Sequence, residues 1–317
     1  MPCATIHMAV AGRVLDEWTR SPPTAPVDPW RAGVREAFLH GALAPDMGFI
    51  PGTHRLVSEA AHYLRPGDLT RALLQRANSA AEEAFAWGWA SHLLADVRIH
   101  PLVGRAVGER LHGDRGRRID AMEDVATHVS LEVGLDVAVL RGDPEIPRPP
   151  AVPFFPTHGG IRSFIRALAE TYDLEWDPAL LTQHHLRAVR LTRWWPRALG
   201  LLPLHPPGPP AGDRMVNGAG LHASVFERIG RLRGPETPLA GFLAPEAPRR
   251  WFLDAVQEEI ETFPERFREL VRSGLDQVGN PNMETGEPTG VGRGHPATDL
   301  AAQKLDLARA ERFPVPG

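Results

Sequence analysis

One cysteine, Cys3, occurs in 317 residues. That excludes an internal disulfide framework and any zinc or iron–sulfur site built from several thiolates. Lysine is equally scarce: Lys304 stands alone, so nearly all of the 35 basic residues are arginine. Together with 32 Pro and 30 Gly this is a bias of the whole chain, and arginine abundance carries no functional meaning by itself. No apolar run approaches the roughly 20 residues needed to cross a bilayer. The opening stretch, MPCATIHMAVAGRVLDEW, has no basic segment ahead of an apolar core, so the expectation is a cytoplasmic protein without a signal peptide. A net charge of −4 gives no bulk attraction to nucleic acid or anionic lipid. Strand-like alternation is missing as well.

What is present is helical spacing of apolar residues, in a chain long enough for one large domain or two small ones. The pattern predicts helices over 4–18, 30–43, 54–64, a long one from 69 to about 97 capped by Asp68, then 102–111 and 118–140. A proline-rich connector, GDPEIPRPPAVPFFPT, follows at 142–157. Further helices are expected over 160–172, 178–202, 219–232 and 248–273, with a last one at 299–311. The expected architecture is all-α. It comprises a helical bundle over 1–142 with metal ligands between its helices, the connector 143–157, and a C-terminal helical region over 158–317 without a recognisable motif.

The chemistry concentrates in five stretches of the first part: TIH ending at His7, HGALAPD ending at Asp46, AAHYL around His62, SHLLADVRIHP (91–101) and THVSLE (127–132). In His92-x-x-x-Asp96-x-x-x-His100 the helical period puts His92 and Asp96 on one face. His128-x-x-x-Glu132 repeats that geometry on the next helix. A lone His-x-x-x-Asp pair is commonly a solvated helix pair. Two such pairs flanked by apolar residues need partners, because an unpaired buried histidine or carboxylate is costly. Imidazole and carboxylate are the ligands zinc takes when cysteine is absent. Asp46, on a turn after Pro45, reads as ligand, general base or both. Gly41 and Gly48 read as places where the backbone approaches a substrate.

These residues, in this order, resemble the zinc-dependent phospholipase C family, related in fold to fungal single-strand-specific zinc nucleases. The resemblance covers about residues 2–140, and the set matching the family pattern is His7, Asp46, His62, His92, Asp96, His100, His128 and Glu132. It implies two to three zinc ions. Asp46, His62, His92 and Asp96 would surround one, His100, His128 and Glu132 another, and His7 with Asp96 as a bridge a third. It also implies Asp46 as catalytic base, and phosphodiesters, typically phospholipids, as substrate. Two departures stand out. The family's third ion is also held by an N-terminal Trp, where this chain has Met-Pro-Cys, leaving the Pro2 amine or the Cys3 thiolate as substitutes. The interval from Asp96 to His100 is also shorter than in the secreted phospholipases.

Other readings remain open at this level: a single-strand nuclease, or a non-catalytic metal-stabilised binding module. No basic groove interleaved with aromatics favours nucleic acid, and no Trp-tipped or Lys-rich amphipathic stretch announces a membrane surface. His54 rivals His62 as ligand, His40 reads as a helix-face residue near the site, and His184-His185 form a poor pair for one metal. Asp124 and Asp136 read as outer partners of the ligands. Trp194-Trp195 read as core or interface.

Overall fold

Three helix starts lie where a side chain satisfies free amides of the first turn. Ser79 Oγ accepts from the Glu82 amide at 3.2 Å, while Glu82 reaches back to the Asn78 amide at 3.1 Å, a reciprocal cap. Asp124 accepts from the Thr127 amide at 2.8 Å and Asp177 from the Ala179 amide at 2.8 Å. The computed structural model describes residues 4–50, 53, 55–121, 123–208, 245–275, 279–288, 303–306 and 308. In chain order these hold α1 (Ala4–Arg20), α2 (Val34–Leu43), α3 (Arg55–Tyr63), α4 (Pro66–Arg76), α5 (Ala80–His112), α6 (Val125–Gly142), α7 (Phe154–His158), α8 (Ile161–Tyr172), α9 (Pro178–Leu201) and α10 (Arg250–Ser273). The fold is all-α. Among the described residues there is no strand, only isolated bridges between His205 and Glu246 and between Pro281 and Pro288.

Several boundaries differ from the periodicity reading. The long helix expected from 69 is broken at 77–79, where the Ser79 cap starts a new one. Asp68 sits inside the first turn of α4, and Arg65 precedes that helix with a positive φ of 47°. Helix α5 then runs unbroken through Pro101, so 102–111 is its last part. α2 begins at Val34, because Gly33 turns with φ 82° just before it. α6 begins after its Asp124 cap. Residues 303–306 are helical. The helix expected over 219–232 lies outside the described residues.

α2 and α5 pack backbone to backbone. A Cβ on Gly41 would overlap the Phe85 carbonyl oxygen, and one on Gly88 would overlap that of Phe38. Gly41 therefore serves the helix contact, not the approach to substrate expected of it. Gly48 is likewise internal, its amide donating to Ser58 Oγ at 2.7 Å. α10 buries Phe252, Val256, Ile260, Phe263 and Phe267 at helical spacing. Phe267 meets Trp18, Phe38 and Trp87 edge-on or tilted at 5.9–6.1 Å, which joins α10 to α1, α2 and α5 in one core. Lys304, from the short helical segment 303–306, reaches the buried Glu59 of α3 at 2.6 and 2.8 Å.

Candidate metal centre

The eight residues of the ordered set converge from five elements. His7 comes from α1, Asp46 from the 3-10 turn Ala44–Phe49, and His62 from α3. His92, Asp96 and His100 come from α5, and His128 and Glu132 from α6. Seven are buried, with His100 partly so. Asp96 is the focus. Its Oδ1 lies 3.2 Å from His7 Nε2 and 3.5 Å from His100 Nε2, and its Oδ2 lies 3.1 Å from His92 Nε2 and 3.4 Å from His62 Nε2. Asp46 Oδ1 is 3.3 Å from His62 Nε2 and 4.0 Å from His92 Nε2. Two triads have ligand atoms close enough to share an ion: His7, His92 and Asp96, and Asp46, His62 and His92. His92 belongs to both.

Backbone carbonyls decide which way the imidazoles face. His62 Nδ1 lies 2.7 Å from the Ser58 carbonyl and His92 Nδ1 lies 2.8 Å from that of Ala42. A carbonyl only accepts, so each Nδ1 carries a proton and each neutral ring turns a bare Nε2 inward. Those two Nε2 atoms are 3.3 Å apart and face the oxygens of Asp46 and Asp96. Their lone pairs face one another across a buried space, and one shared cation would satisfy them together. Without a metal, a proton takes that part. Burial pulls His62 down, but the Asp46 and Asp96 carboxylates outweigh it and carry the imidazole up to about 9. Asp46 and Asp96 are both held below the usual carboxylate range, because the neighbouring imidazoles outweigh the burial that would raise them. The donor set fits zinc.

The second half of the centre has a member that spacing alone does not reveal. His100 Nε2 and His128 Nε2 face Glu132 Oε1 at 3.6 and 3.2 Å. On the opposite side of the two rings, Glu284 Oε2 lies 3.1 Å from His100 Nδ1 and its Oε1 lies 3.6 Å from His128 Nδ1. The carboxylate thus fixes the His100 ring through a hydrogen bond and sets a negative charge beside the His128 ring. Burial raises Glu284, but His128 and His100 outweigh it and bring the carboxyl to about 2. Its turn docks on the site itself: the Met283 amide donates to the His62 carbonyl at 3.0 Å, and Ala121 donates to Glu284 Oε1 at 3.1 Å. Pro101 makes room for this turn. It cannot donate to Val97 four residues earlier, and Gly286, with φ 71°, packs against that freed carbonyl.

Asp124 and Asp136 act through helix starts, and His40 sits on a helix face near the site, as expected. Asp124 is the cap of α6. Asp136 lies within reach of the Thr5 and Ile6 backbone amides, so it supports the first turn of the helix that carries His7, and burial pushes its carboxyl up to about 7. His40 is buried against the Val152 carbonyl at 2.6 Å. Pro2, Cys3 and His54 lie outside the described residues. Beside the centre is a cleft lined by Leu43, Met47, Ile50, Ala188, Val189 and Thr192, with Asp46 in its wall.

Residues 6–175 match the family described as zinc dependent phospholipase C. The chain belongs to that family. A further similarity is to an uncharacterized protein of Archaeoglobus fulgidus, 26% identical over 110 residues, covering 34% of this chain and 32% of that protein. The chain therefore matches about a third of that relative's length. No solved structure matches. The family match ends well before Glu284, which reaches the centre from outside the matched residues.

Proposed function

We propose that this chain is a zinc-dependent hydrolase of phosphodiesters, acting on phospholipid or a related small phosphodiester. The observation that supports it most directly is the inward-facing pair of imidazole Nε2 atoms, 3.3 Å apart against two buried carboxylates. Asp46, His62, His92 and Asp96 would hold one ion, His100, His128 and Glu132 another, and His7 with Asp96 a third. Bound zinc supplies polarisation of phosphoryl oxygens and an acidified water at neutral pH. The chain's own residues do the rest. Asp96, whose two oxygens face His7, His62, His92 and His100, would offset the charge of the ions held beside it. Asp46 alone of the cluster's carboxylates borders the cleft, where it stays ionised and accepts a proton from a group on the substrate side. The cleft walls beside Asp46 are mainly apolar. A non-catalytic metal-stabilised module would hold its ions without such an opening.

The test compares two isosteric variants. Asp96→Asn should lose at least one metal by elemental analysis and essentially all turnover of a chromogenic phosphodiester. Asp46→Asn should keep most of its metal while turnover falls about 10²–10⁴-fold. Equal metal loss in both would make Asp46 a plain ligand. Native protein that holds less than about one ion per chain would overturn the reading.

A further inference from the structure

Helix α9 has two faces of opposite character. His185, Ala188, Val189 and Thr192 on its inner side line the cleft that reaches Asp46. Its outer side is a stripe at helical spacing, Gln183, Arg187, Arg190, Trp194, Arg197 and Leu201, all exposed. Trp194 is 57% exposed and Leu201 86%, with Leu191 beside them also exposed. The expectation that no Trp-tipped amphipathic stretch exists fails here, because only packing shows which side of this helix stays outside. Arg197 lies over the Trp194 ring at 5.0 Å, and Arg193 adds a fourth cation.

The charge pattern is selective. α9 contains no acidic residue, and none of its four arginines forms an ion pair among the described residues. Helices α1, α5 and α10 carry both signs of charge and pair some of their arginines, Arg13 with Asp143, Arg98 with Glu259 and Arg268 with Glu17. Four unpaired cations on one helix of a chain with net charge −4 call for an anionic counterpart. The exposed indole and leucines call for an apolar one. An anionic bilayer offers both, with headgroups for the guanidinium groups and acyl chains just beneath.

We propose that the outer face of α9 docks this protein on an anionic phospholipid bilayer, leaving the cleft behind the same helix about one helix diameter, roughly 10 Å, from the lipid surface. The purpose of that docking rests on the hydrolase reading, whereas the docking itself requires no metal. A single-stranded nucleic acid would engage the arginines and Trp194, but Leu191 and Leu201 offer a base nothing to stack on.

The test is co-sedimentation of the full chain with vesicles of phosphatidylcholine alone or mixed with phosphatidylserine, each with and without chelator. Binding is expected on the mixed vesicles only, weakening with salt and indifferent to chelator. Arg190→Gln should weaken partitioning about fivefold, and Trp194→Ser on the order of tenfold. Both positions are exposed, so melting temperature and turnover of a short soluble phosphodiester should stay at wild-type values. Wild-type protein that ignores the mixed vesicles, or binding that survives both substitutions, overturns the proposal. So does tight binding of a single-stranded oligonucleotide that both substitutions abolish, if the vesicles are left unbound. Normal metal content and turnover without vesicle binding sink the docking surface alone. Variant-sensitive vesicle binding by a chain that holds no metal sinks the hydrolase reading and leaves the surface standing.

Discussion

A single carboxylate, Glu284, shows what one residue contributes to a shared site. One oxygen accepts from His100 Nδ1 and the other lies 3.6 Å from His128 Nδ1, an electrostatic contact, so the His100 Nε2 is turned toward Glu132 before an ion arrives. Replacing it with Ala frees the His100 ring, leaves its Nδ1 without an acceptor and removes the negative charge beside His128. Glu284→Ala should therefore weaken zinc binding about 10–100-fold, measured by competition with a chelating dye. Glu284→Gln keeps one acceptor oxygen and should fall between that variant and wild type. Unchanged affinity in both would reduce Glu284 to a loop anchor. His92 with Asp96, and His128 with Glu132, are legible in sequence because each pair stands four apart on a helix, whereas His7, Asp46 and His62 enter the set only through the resemblance to the family pattern. Glu284 has no such mark. It lies 152 residues after Glu132 in a stretch that reads only as a loop, and its nearest signal is the Asn282-to-Gly286 turn, whose purpose appears only once Val97 and Pro101 are seen beneath it.

At the scale of the element, the crossing of α2 and α5 sets the position of His92. The Ala42 carbonyl that receives its Nδ1 belongs to α2, one residue beyond Gly41, where the two backbones touch. Gly88→Ala would press a methyl group into the Phe38 carbonyl and drive the helices apart. The expected cost is about 1–3 kcal/mol or more, read as a lower melting temperature, with metal content falling alongside because His92 loses its acceptor. A variant that melts lower yet binds metal normally would separate the crossing from the centre. The sequence marks α5 ambiguously. Pro101 reads as a stop, yet the helix continues because a docked turn covers the carbonyl that Pro101 leaves free. The break at 77–79 carries a Ser79–Glu82 cap that is visible in sequence, but the apolar period runs across it and masks it.

For the molecule as a whole, acid sensitivity should come partly from two histidines outside the metal centre. Burial lowers His40 to about 4 and His185 to about 3. His185 Nε2 accepts from the Phe154 amide at 3.0 Å, so protonating it breaks a buried bond. Folded-state values below the unfolded one mean that this stability is complete above about pH 6.5. It is lost as pH falls toward 4 and then 3, at up to about 1.4 kcal/mol per unit for each group. Chelated wild-type protein should lose stability to chelated His185→Gln at that rate between about pH 6.5 and 4, in melting experiments at fixed ionic strength. Parallel curves would mean that His185 titrates normally. Comparing two chelated proteins keeps the centre's raised imidazoles, whose linkage runs the opposite way, out of the difference.

The ion pair between Lys304 and Glu59 has a practical consequence. Because no other residue in the chain is a lysine, an endoprotease that cuts after lysine has one target, and that target sits on α3, three residues from His62 by way of Glu59. Cleavage requires the segment 303–306 to leave α3. The rate of that single cut is therefore a built-in clock for how often the segment 303–306 leaves Glu59, readable on a gel without any label.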